Sequence, residues 1–201
     1  MRVLVYDRTC LVRRGWLTTP WAAGSVLYRA LDRVDGSHGA SSWDDALGWL
    51  ATRPEPITEL QYWGHGKWGR AFVAEDSLDA AAITSDRLAP LRAALAPNAL
   101  IWFRTCETVG ATAGIDFAER LADYTGARVA GHTFVIGFHQ SGLHGVAPGM
   151  RADWSPSEGL EEGTPDAPVS AAWSHRKAPN TITCFSRAVP DDWFAKMQTG
   201  T

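Results

Sequence analysis

The sequence predicts an α/β protein: a three-layer α/β/α sandwich on a mostly parallel sheet. Two observations point there. Short apolar runs at residues 2–6, 57–63 and 99–103 have the length and two-sided hydrophobicity of strands covered by helices on both faces. Helical segments fall between them, at residues 22–34, 43–51 and 86–95, and this alternation is what parallel crossover units require. The chain of 201 residues is long enough to bury roughly 70% of its unfolded surface around one core. A core over residues 1–141 is therefore expected, with an irregular C-terminal extension, 142–201, packed on it.

The elements follow in order. Residues 1–6 are apolar on both faces and end at Asp7, as a central strand does. In the stretch 22–34, Val26, Leu27, Ala30, Leu31 and Val34 recur at helical spacing, with Arg29, Asp32 and Arg33 elsewhere on the wheel, which predicts a crossover helix with that apolar face inward. The Gly- and Ser-rich stretch 35–42 reads as a loop. Ser42 then caps a short helix over 43–51 with Asp44 and Asp45 in its first turn, where the helix dipole favours carboxylates. Residues 57–63 form a buried strand; the periodicity of 70–74 fits a short strand or the opening of a helix, and a short hairpin-like excursion is the preferred reading. Ser85 caps a helix over 86–95, and the chain returns as a strand at 99–103. A helix over 115–124 presents Ile115, Ala118, Leu121 and Ala122 on one face and stops at Gly126, a residue suited to the left-handed terminating position. A strand at 127–130 and an apolar run at 133–138 complete the core. Beyond 142 no period persists through 181; 181–185 reads as an edge strand and 191–197 as a short terminal helix.

Composition narrows the function classes. A net charge of −3 with no Lys/Arg run gives no footprint for nucleic acid or an anionic membrane, and no apolar stretch approaches the roughly 18 residues of a membrane helix. Three cysteines without a CxxC pair, and a first segment that opens on a strand rather than a signal-peptide core, point to a reduced, cytoplasmic thiol protein. The ten Trp residues form no repeat and read as core or cleft wall.

Two strand ends concentrate the chemistry. The strand 57–63 runs into Gly64-His65-Gly66, and the strand 99–103 runs through Arg104 and Thr105 to Cys106. If the two are parallel neighbours, an imidazole and a thiol share one rim. A thiol with pKa near 8.5 is only about 3% ionised at pH 7, so a nucleophilic Cys106 needs a base, and His65 is the candidate. The turn into the helix near Ile115 favours the thiolate by about 0.3–1 kcal/mol, whereas Glu107 opposes it. Gly66 offers a backbone N–H for an oxyanion. Trp63, Trp68 and Trp102 are core or cleft-wall candidates, and His132, just beyond the next strand, is placed to line the cleft. Other readings are weaker. GHGKWG at 64–69 spells GxGxxG, but a dinucleotide site wants a helix inside that motif and an acidic residue about 20 positions on. Cys184 with His175 lacks a parallel-strand context. His132, His139 and His144 have no Cys or carboxylate at ligand spacing for zinc, so neither metal nor cofactor is expected. Taken singly, Cys106 reads as a small hydrophobe and His65 as a hydrogen-bonded loop residue; their co-location is what favours chemistry.

LQYWGHG at 60–66 and ALIWFRTC at 99–106 resemble the His and Cys strands of the caspase-like cysteine peptidases, the clan CD or caspase-hemoglobinase fold, over roughly residues 1–138. GIDFAERLADYTGARVAG at 114–131 is similar to bacterial caspase-like domains of unassigned function. The resemblance implies a cysteine endopeptidase acting on a peptide or protein substrate: Cys106 attacks, His65 moves the protons, and the N–H groups of Gly66 and Cys106 hold the oxyanion. It also implies that Arg104 lines a substrate pocket with an acidic preference, unless it pairs with Glu107 or Asp7. Two alternatives stand beside this: a catalytically inactive module of the same fold that binds a peptide or protein, and a nucleotide-binding domain using the glycine loop.

Overall fold

The computed structural model describes residues 1–10, 17–84 and 86–196. The expected cap at Ser85 and the end of the expected terminal helix at Met197 lie outside the described residues. In chain order the elements are β1 (Arg2–Asp7), α1 (Thr18–Ala30), β2 (Gly36–Ala40), α2 (Trp43–Ala51), β3 (Ile57–Trp63), β4 (His65–Gly66), β5 (Arg70–Val73), β6 (Asp76–Asp79), α3 (Ala89–Ala94), β7 (Leu95–Arg104), α4 (Ala111–Thr125), β8 (Arg128–His132), β9 (His139–Gln140), β10 (Leu143–Val146), β11 (Leu160–Thr164), β12 (Ala167–Ala171) and β13 (Ile182–Thr183).

Six strands form the central sheet in the order β10-β8-β7-β3-β1-β2, all parallel except β10, which runs antiparallel to β8. Side chains alternate between its faces. Val3, Val5, Leu60, Tyr62, Ile101, Phe103 and Val129 point to one side, where they join buried residues of α2, α3 and α4 in the main apolar cluster. Leu4 and Trp63 point to the other, packed with Tyr28 of α1. Farther along that second face, Leu100, Trp102 and Ala130 are covered by Ile182, Val189 and Phe194. The third layer is thus half helix and half an irregular strap, and the protein is the mixed α/β sandwich its sequence predicts.

Local signals placed several elements as expected. The Ser42 hydroxyl accepts from the Asp45 N–H at 3.1 Å, and α4 stops at Gly126 with φ 72°. The excursion after β3 is a three-stranded antiparallel sheet, β4-β5-β6. Other elements differ. Residues 36–40 are not a loop: β2 is an edge strand that pairs with β1 from Val3↔Gly36 to Asp7↔Ala40. Helix α1 begins and ends earlier than its apolar period suggests, and turns a different face inward. Val26, Leu27 and Leu31 are exposed, while Ser25 and Tyr28 are buried. Tyr28 faces inward because its hydroxyl donates to the Cys184 carbonyl at 2.7 Å, and Gly24 allows the helix close to Trp63, whose ring would meet an added Cβ at 2.6 Å. The predicted helix over 86–95 is a 3-10 turn followed by the short α3, and residue 95 already belongs to β7. The C-terminal extension carries more order than expected: β10 closes the edge of the main sheet, and β11 and β12 form a hairpin. The edge strand expected at 181–185 is the two-residue β13, paired with β9, and the terminal helix is a single 3-10 turn, Asp191–Trp193.

Candidate active site

The C-terminal rim of the sheet gathers three chemistry-bearing side chains. Across β1, β3 and β7 the register aligns Tyr6 with Trp63 and Trp63 with Arg104. Cys10 follows that row on the first chain segment, and His65 and Cys106 each lie two residues beyond it on the second and third. His65 opens β4 opposite Phe72. Gly66 is pressed against the Cys106 turn: a Cβ there would collide with the Thr108 hydroxyl and lie 2.7 Å from the Cys106 carbonyl oxygen. Its glycine identity therefore follows from packing alone, whatever its N–H does. Two more backbone bonds lock the segments together, Trp68 N–H to Glu107 O at 3.1 Å and Gly69 N–H to Thr108 O at 2.9 Å.

The side chains at this rim take partners the sequence did not suggest. His65 Nε2 lies 3.2 Å from Cys10 Sγ, and the imidazole meets Trp21 edge-on at 5.5 Å. Cys106 is half-buried and its thiol donates to the Ile136 carbonyl at 3.9 Å. Burial pushes that thiol above its ordinary range, and the neighbouring Glu107 carboxylate adds to the effect, against the opposing Ile136 contact. Glu107 holds a left-handed backbone conformation, φ 46°, uncommon for a residue with a side chain. Its N–H donates to Phe134 O at 3.0 Å and its carbonyl accepts from Trp68 and Gly110. Its carboxyl is pushed up by burial, which Lys67 partly offsets, and Oε2 has no hydrogen-bond partner among the described residues.

Of the remaining predicted site residues, Trp68 stands beside the Cys106 turn, half-buried, with the Lys67 ammonium 4.4 Å from its ring centre. Arg104 does not line an open pocket. It is 4% exposed, and neither Glu107 nor Asp7 is its partner. Its guanidinium donates to Gln140 Oε1 at 2.9 and 3.1 Å, to the Tyr28 hydroxyl at 2.7 Å and to the Cys184 carbonyl at 2.9 Å, and it lies 4.5 Å from the Trp102 ring centre. Burial pulls its pKa down, and the Tyr28 contacts oppose this. His132 is fully enclosed rather than at the cleft: Nδ1 donates to Ser141 O at 3.1 Å, and burial lowers its pKa to about 3, so the ring is neutral. Trp102 is fully buried and Trp63 nearly so. Cys184 and His175 serve the fold through their carbonyls, which accept from Arg104 and from Ser141 Oγ. The chain after Gly64 continues as β4 and a hairpin, so the glycine loop opens no helix for a pyrophosphate. Among the described residues, no three His, Cys, Asp or Glu side chains group to hold a metal ion. No helix there is long and apolar enough to cross a membrane.

Cys10 is the site residue that sequence reasoning missed. The signal was available, since the argument pairing His65 with Cys106 applies equally to the strand on the other side of β3.

Fold and rim together define a class: a parallel α/β sandwich with thiols and an imidazole at the C-terminal ends of its central strands. Residues 36–145 match the family model described as a domain of unknown function (DUF4347), over more than half of the chain, and the protein belongs to that family. The matched stretch includes His65 and Cys106 and leaves Cys10 outside it. No curated protein and no solved structure matches the chain.

Proposed function

We propose that the protein is a caspase-like cysteine hydrolase that cleaves a peptide bond in a protein substrate through His65 and Cys106. The observation that carries this reading is the shared row of β3 and β7, Trp63↔Arg104, with the imidazole and the thiol two residues past it and Gly66 packed on the Cys106 carbonyl. In this reading the Cys106 proton passes to the imidazole and the thiolate attacks the carbonyl carbon. His65 then protonates the departing amine, and water, deprotonated by the same ring, releases the acid and restores the thiol. The N–H groups of Gly66 and Cys106 hold the oxyanion, and Trp68 forms a wall of the site. Because the resting thiol is protonated and the imidazole faces Cys10, substrate docking has to swing His65 toward Cys106. Arg104 and His132 are enclosed and take no part in this mechanism. The compartment that suits the reading is the cytoplasm, supported by three cysteines with none in a disulfide.

A second reading has an observation of its own. The raised Cys106 thiol beside Glu107 suits a module that binds a peptide or protein without cleaving it. The experiment is a peptide-library digest with the wild type, Cys106→Ala and His65→Ala. The hydrolase reading expects specific cleavage that falls by about 10²-fold or more in both variants. Cleavage that persists in Cys106→Ala, or no cleavage by the wild type, overturns it. Peptide capture that survives Cys106→Ala without cleavage selects the binding module.

A further inference from the structure

We infer that Cys10 is a second nucleophile at this rim, served by His65, and that it takes up small-molecule disulfides by thiol–disulfide exchange. The inference does not rest on the hydrolase reading, since it needs Cys10 and His65 alone. The contact between Cys10 Sγ and His65 Nε2, 3.2 Å, sets a thiol against a base, which is the arrangement that activates a nucleophile. Cys106, by contrast, faces a carbonyl oxygen. The fold builds the contact from three elements. Parallel pairing of β1 with β3 brings the two chain segments side by side. The first turn of α1 pins Cys10, because Thr18 Oγ1 accepts from the Cys10 N–H and donates to the Asp7 carbonyl, both at 3.0 Å. Trp21 of the same helix fixes the imidazole edge-on. The nearby Asp7 carboxylate is engaged by the N–H and hydroxyl of Thr9 and the N–H of Ala74. As a residue Cys10 is partly exposed, as attack on a small reagent requires.

The exchange balances without a further oxidant. The Cys10 proton moves to Nε2, and the thiolate attacks one sulfur of the disulfide. A new S–S bond forms as the old one breaks, and the released thiolate takes the proton back from the imidazolium. The test uses the 201-residue chain with Cys106→Ser and Cys184→Ser, which leaves Cys10 as its one thiol, and 5,5′-dithiobis(2-nitrobenzoate) at pH 7. Release of the aromatic thiolate is expected to be about tenfold or more slower in His65→Ala and in His65→Gln, with the adduct located on Cys10 by mass. A comparison without His65 substitutions keeps the test decisive if those variants fail to fold: an activated Cys10 reacts faster in the folded chain than in urea, whereas a merely packed thiol reacts more slowly. Equal rates with and without the imidazole, or slower reaction in the folded chain than in urea, overturn the inference. The hydrolase reading is scored separately, by peptide cleavage in Cys10→Ser, so each can fail without the other.

Discussion

The two faces of the central sheet are filled by different physics. Against α2, α3 and α4 the sheet presents Leu60, Tyr62, Ile101, Phe103 and Val129 to Leu50, Leu91, Phe117 and Leu121, a core held by apolar burial and aromatic edge contacts such as Phe103 with Phe117 at 5.4 Å. On the other face, Gln61, Arg104 and His132 are buried among Trp63, Trp102 and Tyr28, and the cover over β7 and β8 is the strap rather than a helix. Apolar burial is non-directional and tolerates approximate fits, whereas a buried cation stays only where each of its donors finds an acceptor. The strap carries those acceptors: carbonyls of Thr183, Cys184 and Ser186 turn toward the Arg104 guanidinium. One face is closed by apolar burial, and the other adds a hydrogen-bonded clasp to its own apolar clusters.

The largest effect that separates the faces comes from Phe103→Ala. Removing a fully buried ring from the dry side is expected to cost about 3–5 kcal/mol, seen as loss of cooperative stability in urea. Arg104→Ala on the other side is expected to cost on the order of 3 kcal/mol, because its buried acceptors are left unpaired while the desolvation cost of the guanidinium itself is relieved. Its signature differs from that of Phe103→Ala: limited proteolysis should cut first near residues 183–186 while the sheet persists. An Arg104→Ala protein cleaved no faster in the strap than the wild type would show that the clasp is not what closes this face.

Acid sharpens the same contrast. The folded pKa of His132 is about 3 against a reference of 6.5, so below pH 6.5 the unfolded chain binds a proton that the folded chain refuses. Stability from this residue is complete above pH 6.5 and falls as the pH drops toward 3, by up to about 1.4 kcal/mol per unit. Glu158 has a lowered pKa because hydrogen bonds from His144 and Thr133 outweigh its burial. It acts only below its own reference of 4.5, whereas Glu59 and Glu107, both raised by burial, work in the opposite sense above 4.5, so the imidazole is read between pH 6.5 and 5 as the difference between the wild type and a variant without it. Denaturant midpoints should fall less toward acid across that window in His132→Asn than in the wild type. On the dry face Ser42→Ala, which removes the α2 cap, is expected to cost about 1 kcal/mol, independent of pH over the same range.

The dry face was legible in the sequence and the clasped face was not. Strand β3, the Ser42 cap, the Gly126 stop and the inner face of α4 follow from signals a few residues wide, and the apolar layer follows from them. Helix α1 shows where that logic ends. Its most regular apolar stripe, Val26, Leu27 and Leu31, faces outward, because the Tyr28 hydroxyl reaches a carbonyl more than 150 residues along the chain. Strand β2, with the sequence GSHGA, has little strand propensity of its own and is set by backbone pairing with β1. At the site, the shared position of His65 and Cys106 was readable from parallel neighbours. The enclosure of Arg104 and His132 was not, since the strap and β9 that enclose them have no period. Cys10 was within reach of the same strand-neighbour argument.

Glu107 supplies the smallest and most local test, since it carries buried polarity of the second kind to the rim without its remedy. Arg104 is buried with its donors met, whereas the Glu107 Oε2 lacks a partner among the described residues, and its carboxylate raises the thiol beside it. Glu107→Gln keeps the shape and removes the charge, so the alkylation midpoint of Cys106 should move down, by less than burial itself has moved it up, because burial is the larger cause. Iodoacetamide rates against pH, measured with Cys10 and Cys184 replaced by Ser, read this directly. Glu107→Asn controls for the backbone: Asn also tolerates a positive φ, so an effect of charge appears in both variants, and an effect of local strain appears as a gain in stability for Asn alone. A midpoint unchanged in both would mean that the Glu107 carboxylate is screened from the sulfur, leaving burial alone to hold the Cys106 proton in place.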